Sequence, residues 1–302
     1  MAKRGVARMD VQKWLEEFIE AERLPQSYAA IAQDHFLPLA DHLAKYLKQK
    51  PTIIGVNGAQ GTGKTTFAKL LGGYWTKVCG LNGTQISLDD FYMTRAEREA
   101  RAQNIHPLFA TRGVPGTHDT DLALSTLRGL KALKTGDSLA LPSFDKAIDN
   151  RKTKPDWTAA NGSQDFIIFE GWCVGSRPVS EAALKTPINE LEKKHDPKGQ
   201  WRAAVNDYLA QDYQTVNALI DTLIVLNAPD FETVLAWRQE QEEKLALTAG
   251  PHRPHIMSPN QIENFIQYFE RITRENLRIL PQLADYVFGF DHGHRVIEGY
   301  RS

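Results

Sequence analysis

Five short apolar runs recur along the chain, Thr52 to Asn57, Thr84 to Leu88, Asp165 to Glu170, Thr222 to Asn227 and Tyr286 to Phe290. Each has the length of a buried strand. Stretches with helical spacing separate them, and parallel strands need such crossover connections. The pattern therefore predicts an α/β fold, a parallel five-stranded sheet layered by helices. Ahead of the first run, residues 11 to 49 read as two helices. Trp14, Phe18 and Ile19 make one apolar stripe, and Tyr28, Ile31, Phe36, Leu37, Leu39, Leu43 and Leu47 a longer one. The expectation is an N-terminal helical segment, 1–50, packed on one main domain, 51–302.

The stretch from about 92 to 162 breaks this rhythm. It is rich in Gly, Pro, Asp and Arg, with one clear helical pattern near Asp121 to Lys134 and a short apolar piece at Leu139 to Pro142. It reads as an insertion that covers a substrate. A second polar insertion, Pro187 to Gly199, precedes a helix predicted over Trp201 to Ala218. Beyond the fourth strand come a helix over Phe231 to Leu247, a Pro- and His-bearing stretch Gly250 to Pro259, and a long helix over Asn260 to Leu280. His252 and His255 match no zinc spacing, so that stretch reads as a polar loop.

Composition narrows the function classes. Apolar residues make up 42% and charged residues 24%, enough for a large core and against disorder. A formal net charge of −1 offers no field for nucleic acid or anionic lipid, so any phosphate binding must be local. Cys79 and Cys173 are too few for a disulfide framework or a zinc site. No apolar run approaches the roughly 18 residues of a membrane span. The basic N-terminus leads into an amphipathic stretch, Val11 to Ala21, where a secretion signal would need an apolar one. A cytoplasmic protein with neither nucleic-acid nor membrane partners is expected; nothing in the pattern speaks to oligomeric state.

The local phosphate site is plain. Gly58-Ala59-Gln60-Gly61-Thr62-Gly63-Lys64-Thr65 matches G-x-x-x-x-G-K-[ST] between the first strand and a helix. Glycines let successive backbone N–H groups curl around phosphates, and the helix N-terminus adds partial positive charge. Lys64 is expected on the β- and γ-phosphates, Thr65 on Mg²⁺, and Thr66 behind them as a further donor. A P-loop specifies a nucleotide, not a reaction. The second and third strands end in Asp89-Asp90-Phe91-Tyr92 and Phe169-Glu170-Gly171, placing carboxylates at the strand edge where ligands sit in open α/β sheets. One aspartate of the Asp89-Asp90 pair is expected to orient Mg²⁺ or an attacking hydroxyl, the other to shape the turn.

Together these motifs resemble the phosphoribulokinase, uridine kinase and pantothenate kinase group. They are still more similar to the D-glycerate 3-kinase family, through Asp89 to Thr94, Arg112-Gly113-Val114-Pro115-Gly116-Thr117-His118-Asp119, Pro142 to Lys146 and Glu170-Gly171-Trp172. The similarity runs from about Thr52 to Phe290. It implies strand order 2-3-1-4-5 and phosphoryl transfer from Mg·ATP to a small hydroxylated substrate. Asp89 becomes the catalytic aspartate, and Glu170 a carboxylate that supports Mg²⁺ alongside Thr65 and Asp89. The region 231–259 becomes a lid carrying Arg238, although Arg238 with Glu242 and Glu240 with Lys244 would also pair on any exposed helix. Asp90, Tyr92, Arg112, His118, Asp119 and Lys146 are the candidates for the acceptor, with Lys146 or Arg112 matching a carboxylate. D-glycerate leads as acceptor. A nucleoside or pantothenate on an aromatic platform of Phe91, Tyr92 and Phe144 is one alternative, and a regulatory P-loop NTPase another. Asn227-Ala228-Pro229-Asp230 lacks the lysine of a guanine-reading motif.

Overall fold

The computed structural model describes residues 10–248 and 256–300. The stretch with His252 and His255 lies outside the described residues. Strands β1 (Thr52–Gly58), β2 (Gly83–Ser87), β3 (Phe166–Gly171), β4 (Thr222–Asn227) and β5 (Tyr286–Phe290) pair in parallel in the order β2-β3-β1-β4-β5. This is the 2-3-1-4-5 arrangement. Every residue of β1 and β3 is buried, which is why these strands read as unbroken apolar runs instead of alternations. A sixth strand, β6 (Val296–Glu298), adds antiparallel to β5 and corrects the expected count of five. It is short and largely exposed, so it carries no burial pattern to read.

The P-loop helix Lys64–Lys77 packs under the N-terminal helices. Phe36 lies 4.9 Å from Phe67 and 5.0 Å from Phe288, ring centre to ring centre. Trp75 Nε1 donates to the Ala40 carbonyl at 2.9 Å. Such aromatic contacts contribute about 0.5–1.5 kcal/mol each beyond area burial. The second N-terminal helix is α-helical over Tyr28–Ile31 and Leu37–Leu47, with a π-helical turn, Ala32–Phe36, between them.

One expectation changes in detail. The helix predicted over Trp201 to Ala218 breaks at Gln211 into Gln200–Ala210 and Asp212–Asn217; the Gln214 amide caps the freed Leu209 carbonyl at 2.9 Å. The polar insertion Pro187 to Gly199 is tied to the core by charge. Its short helix Glu190–His195 ends beside buried ion pairs, Glu192 to Arg271 at 2.6 Å and Asp196 to Arg202 at 3.0 Å.

The segment 92–162 holds helices Arg95–Asn104 and Thr120–Ala132 and two antiparallel ribbons, Ser138–Leu141 with Thr158–Asn161 and Phe144–Asp145 with Asn150–Arg151. Helix Arg95–Asn104 escaped periodicity because it has no apolar stripe. Its capping box, Thr94 with Glu97, was the readable signal.

Candidate active site

The carboxyl ends of β1, β2 and β3 open into a cleft of about 1180 Å³. That exceeds the roughly 300–1,000 Å³ of a single small-ligand pocket and leaves room for two substrates. Gln60, Gly61, Gly63, Lys64, Thr65 and Thr66 line one side. Gly58, Ala59 and Thr62 support the loop from behind, Thr62 Oγ1 donating to the Ala59 carbonyl at 2.8 Å. Gly61 has φ 81°, and a Cβ there would lie 2.5 Å from Trp237 Cβ, so the loop runs bare against the helix Phe231–Thr248. Gly63, at φ 82°, begins the P-loop helix with no side-chain cap, and a Cβ on it would meet nothing within 4 Å. The first N–H groups of that helix are left to an anion.

Glu170 closes the floor of the loop. Thr65 Oγ1 donates to Glu170 Oε1 at 3.0 Å, while the buried Glu170 Oε2 and Gln60 Oε1 have no hydrogen-bond partner among the described residues. Burial pushes the Glu170 carboxyl up, against the pull of Lys64. A buried oxygen without a donor is costly until a cation or donor meets it. A threonine hydroxyl, this carboxylate and Lys64 form a set that fits Mg²⁺ on a phosphate chain.

Asp89 and Asp90 divide their work in the turn Leu88–Phe91. Asp90 accepts from the backbone N–H groups of Ser87 and Phe144, both at 3.3 Å, and is the turn former. Burial pushes its carboxyl up. Asp89 instead faces the cleft and takes Lys146 Nζ on Oδ2 at 2.6 Å. Burial works against its ionisation, but Lys146 and then Lys64 outweigh burial and hold it down at about 2. Lys146 is thus brought to Asp89 and is not left free for an acceptor carboxylate.

Of the loop Arg112 to Asp119, only Arg112 lines the cleft. Its guanidinium lies 5.6 Å from the Phe144 ring centre and pairs with Asp149. Asp119 caps the helix Thr120–Ala132 through the Leu122 N–H at 2.9 Å and pairs with Arg151 at 3.2 Å. His118 is 1% exposed, stacks behind Tyr92 at 4.3 Å and bonds Tyr213 through Nδ1. These two expected acceptor ligands are therefore structural, one a cap and one a support for Tyr92, which does line the cleft.

Burial lowers the His118 pKa from 6.5 to about 3. The unfolded chain then binds a proton on this ring at a pH where the folded chain does not, so His118 makes stability fall as pH drops through that window. His118→Gln is expected to flatten the fall of the urea midpoint between about pH 7 and about pH 4. Identical slopes in the two proteins would contradict a neutral buried imidazole.

No protein-family model matches the chain. The uncharacterized kinase mug58 of Schizosaccharomyces pombe is 31% identical over 245 residues, 76% of this chain and 85% of that protein. Chloroplastic D-glycerate 3-kinase of Arabidopsis thaliana is 32% identical over 200 residues, 64% of this chain but only 41% of the plant protein. The solved D-glycerate 3-kinase of Cryptococcus neoformans superposes with a TM-score of 0.68 at 23% identity, covering 86% of this chain and 98% of that one. The chain belongs to the D-glycerate 3-kinase-like family of P-loop kinases. It is an ATP-dependent kinase.

In this kinase the helix Phe231–Thr248 brings Trp237 and Arg238 over the P-loop. Both helix pairs form, Arg238 with Glu242 at 2.6 Å and Lys244 with Glu240 at 2.5 Å. Arg238 nevertheless lines the cleft with a buried Nη1 that has no partner among the described residues, a donor suited to an anion. Sequence reasoning missed His294, which stacks on Trp237 at 3.9 Å and approaches the Gly61 carbonyl at 3.1 Å. The signal was available, since His294 follows the carboxyl end of β5 on the ligand edge. Arg95 and Asp149 on the acceptor wall were also missed.

Proposed function

We propose that this kinase transfers the γ-phosphoryl group of Mg·ATP to the 3-hydroxyl of D-glycerate. The observation that carries this reading is the wall opposite the P-loop. There Asp89 stands ionised beside cationic groups, Lys146 on its own oxygen and Arg112 within the same cleft. A hydroxy-carboxylate needs both features, an acidic group for the hydroxyl and a fixed cation for the charge taken out of water. The name of the plant relative points to the same acceptor. A nucleoside would need an open aromatic face. Of the candidate platform, Phe91 is fully buried, Tyr92 is 4% exposed and has one face stacked on His118, and Phe144, 7% exposed, lies under Arg112.

The acceptor oxygen attacks the γ-phosphorus, the bond to the bridging oxygen of ADP breaks, and the hydroxyl proton passes to Asp89. At a pKa near 2 Asp89 is a weak base. It therefore orients the hydroxyl and takes the proton late, as the new bond forms. Lys64 and Arg238 meet the charge on the transferring group, a contact stronger in the transition state than before it. Thr65 and Glu170 would hold Mg²⁺, which would supply neutralisation of phosphate charge there.

Arg112→Met is expected to raise KM for D-glycerate about ten- to a hundredfold, ~1.5–3 kcal/mol, and leave KM for ATP nearly unchanged. Steady-state kinetics with each substrate varied in turn checks this. An unchanged glycerate KM would remove Arg112 from the carboxylate site.

A further inference from the structure

Three arginines of the acceptor wall converge on one carboxylate. Asp149 sits in the turn between Phe144–Asp145 and Asn150–Arg151, in the left-handed region at φ 53°. Its Oδ2 accepts from Arg98 Nη2 at 2.7 Å and lies 3.6 Å from Arg95 Nη2, and its Oδ1 accepts from Arg112 Nη1. Arg98 is buried and spends its other donors on the carbonyls of Met93, Ala110 and Asp149, so it is fixed in place. Arg112 and Arg95 are different. Their side chains are 30% and 59% exposed, and neither has another carboxylate among the described residues. Asp149 draws both toward one carboxylate, yet it accepts a single hydrogen bond from Arg112 and only an ion contact from Arg95, so neither guanidinium is satisfied bidentately.

We propose that Asp149 is a stand-in for the acceptor's carboxylate. In the free enzyme it occupies Arg112 and Arg95. The incoming carboxylate takes those two guanidiniums and leaves Asp149 to Arg98. This rests on the reading of the acceptor as a hydroxy-carboxylate. Asp149 keeps like-charged arginines together on an open wall. It also competes with the acceptor, which lowers apparent affinity by the fraction of enzyme in the occupied state. Arg95 thereby becomes a specificity determinant of the same standing as Arg112.

The test uses Asp149→Asn and Arg95→Gln in the full chain. Asparagine tolerates the left-handed backbone and still offers Arg98 an acceptor oxygen, so the substitution removes charge and little else. Asp149→Asn is expected to lower KM for D-glycerate about three- to tenfold, and Arg95→Gln to raise it by a similar factor, with KM for ATP unmoved. An unchanged glycerate KM in either folded variant overturns the proposal, as does a rise in Asp149→Asn, which would make Asp149 a latch only. Should Asp149→Asn not fold, the exposed Arg95→Gln decides alone. Wild-type turnover of D-glycerate reports separately on the acceptor. If there is none, sulfate probes the arginines directly in protein saturated with Mg·ADP. The sulfate-dependent rise in Tm should steepen in Asp149→Asn and flatten in Arg95→Gln; equal rises in all three proteins would refute the stand-in role.

Discussion

Lys64→Ala is expected to abolish phosphoryl transfer, with kcat/KM down by about three or more powers of ten. Lys64 lies close enough to Asp89 and Glu170 to favour the charged form of both carboxyls, although burial still pushes Glu170 up, so its charge is felt across the floor of the cleft. Removing it leaves two acidic groups facing the place where phosphates must sit. ATP affinity should fall together with turnover if, as proposed, the same cation serves bound nucleotide and transition state. Equilibrium binding of ATP with Mg²⁺, alongside single-turnover rates, separates the two losses. Near-normal turnover in a folded Lys64→Ala protein would sink the whole nucleotide site.

The second large effect is expected at Asp89. Asp89→Asn should lower kcat by about two to four powers of ten while ATP affinity changes little. The variant breaks the pair between half-buried Asp89 and Lys146, but the lysine is 60% exposed, and water screening holds such a pair to about 0–1 kcal/mol. The loss is therefore chemical and not a loss of fold. Asp90→Asn should show the reverse balance. Its carboxylate receives two backbone N–H groups, so the variant is expected to lose stability more than turnover. Thermal midpoints and kcat measured on both variants decide, and the opposite ranking would move the catalytic role by one residue.

What was legible in the sequence was contiguous. The P-loop reads off eight adjacent residues, and Glu170 reads off its position at the end of an apolar strand, because local geometry alone dictates that chemistry. Strand order came through resemblance. The acceptor wall was less legible, since it is assembled by the turn after Phe144. Lys146 meets Asp89 from 57 positions away, and Asp149 gathers Arg98 from 51. No spacing rule announces such pairs. His118 and Asp119 had the composition of a ligand loop, but burial and a helix start claimed them. Arg95 stood on a helix without an apolar stripe, and Asp149 in a turn where a left-handed aspartate looks like any other.

The proposed acceptor is D-glycerate, and the proposed site of transfer its 3-hydroxyl. The most direct measurement incubates the enzyme with Mg·ATP and, separately, D-glycerate, L-glycerate, uridine and pantothenate, then identifies each product by mass. The position of the new phosphate is read by coupling to an enzyme specific for 3-phosphoglycerate. The expected preferred product is 3-phosphoglycerate from D-glycerate. Preferred phosphorylation of uridine or pantothenate, or a 2-phosphorylated glycerate, would contradict it.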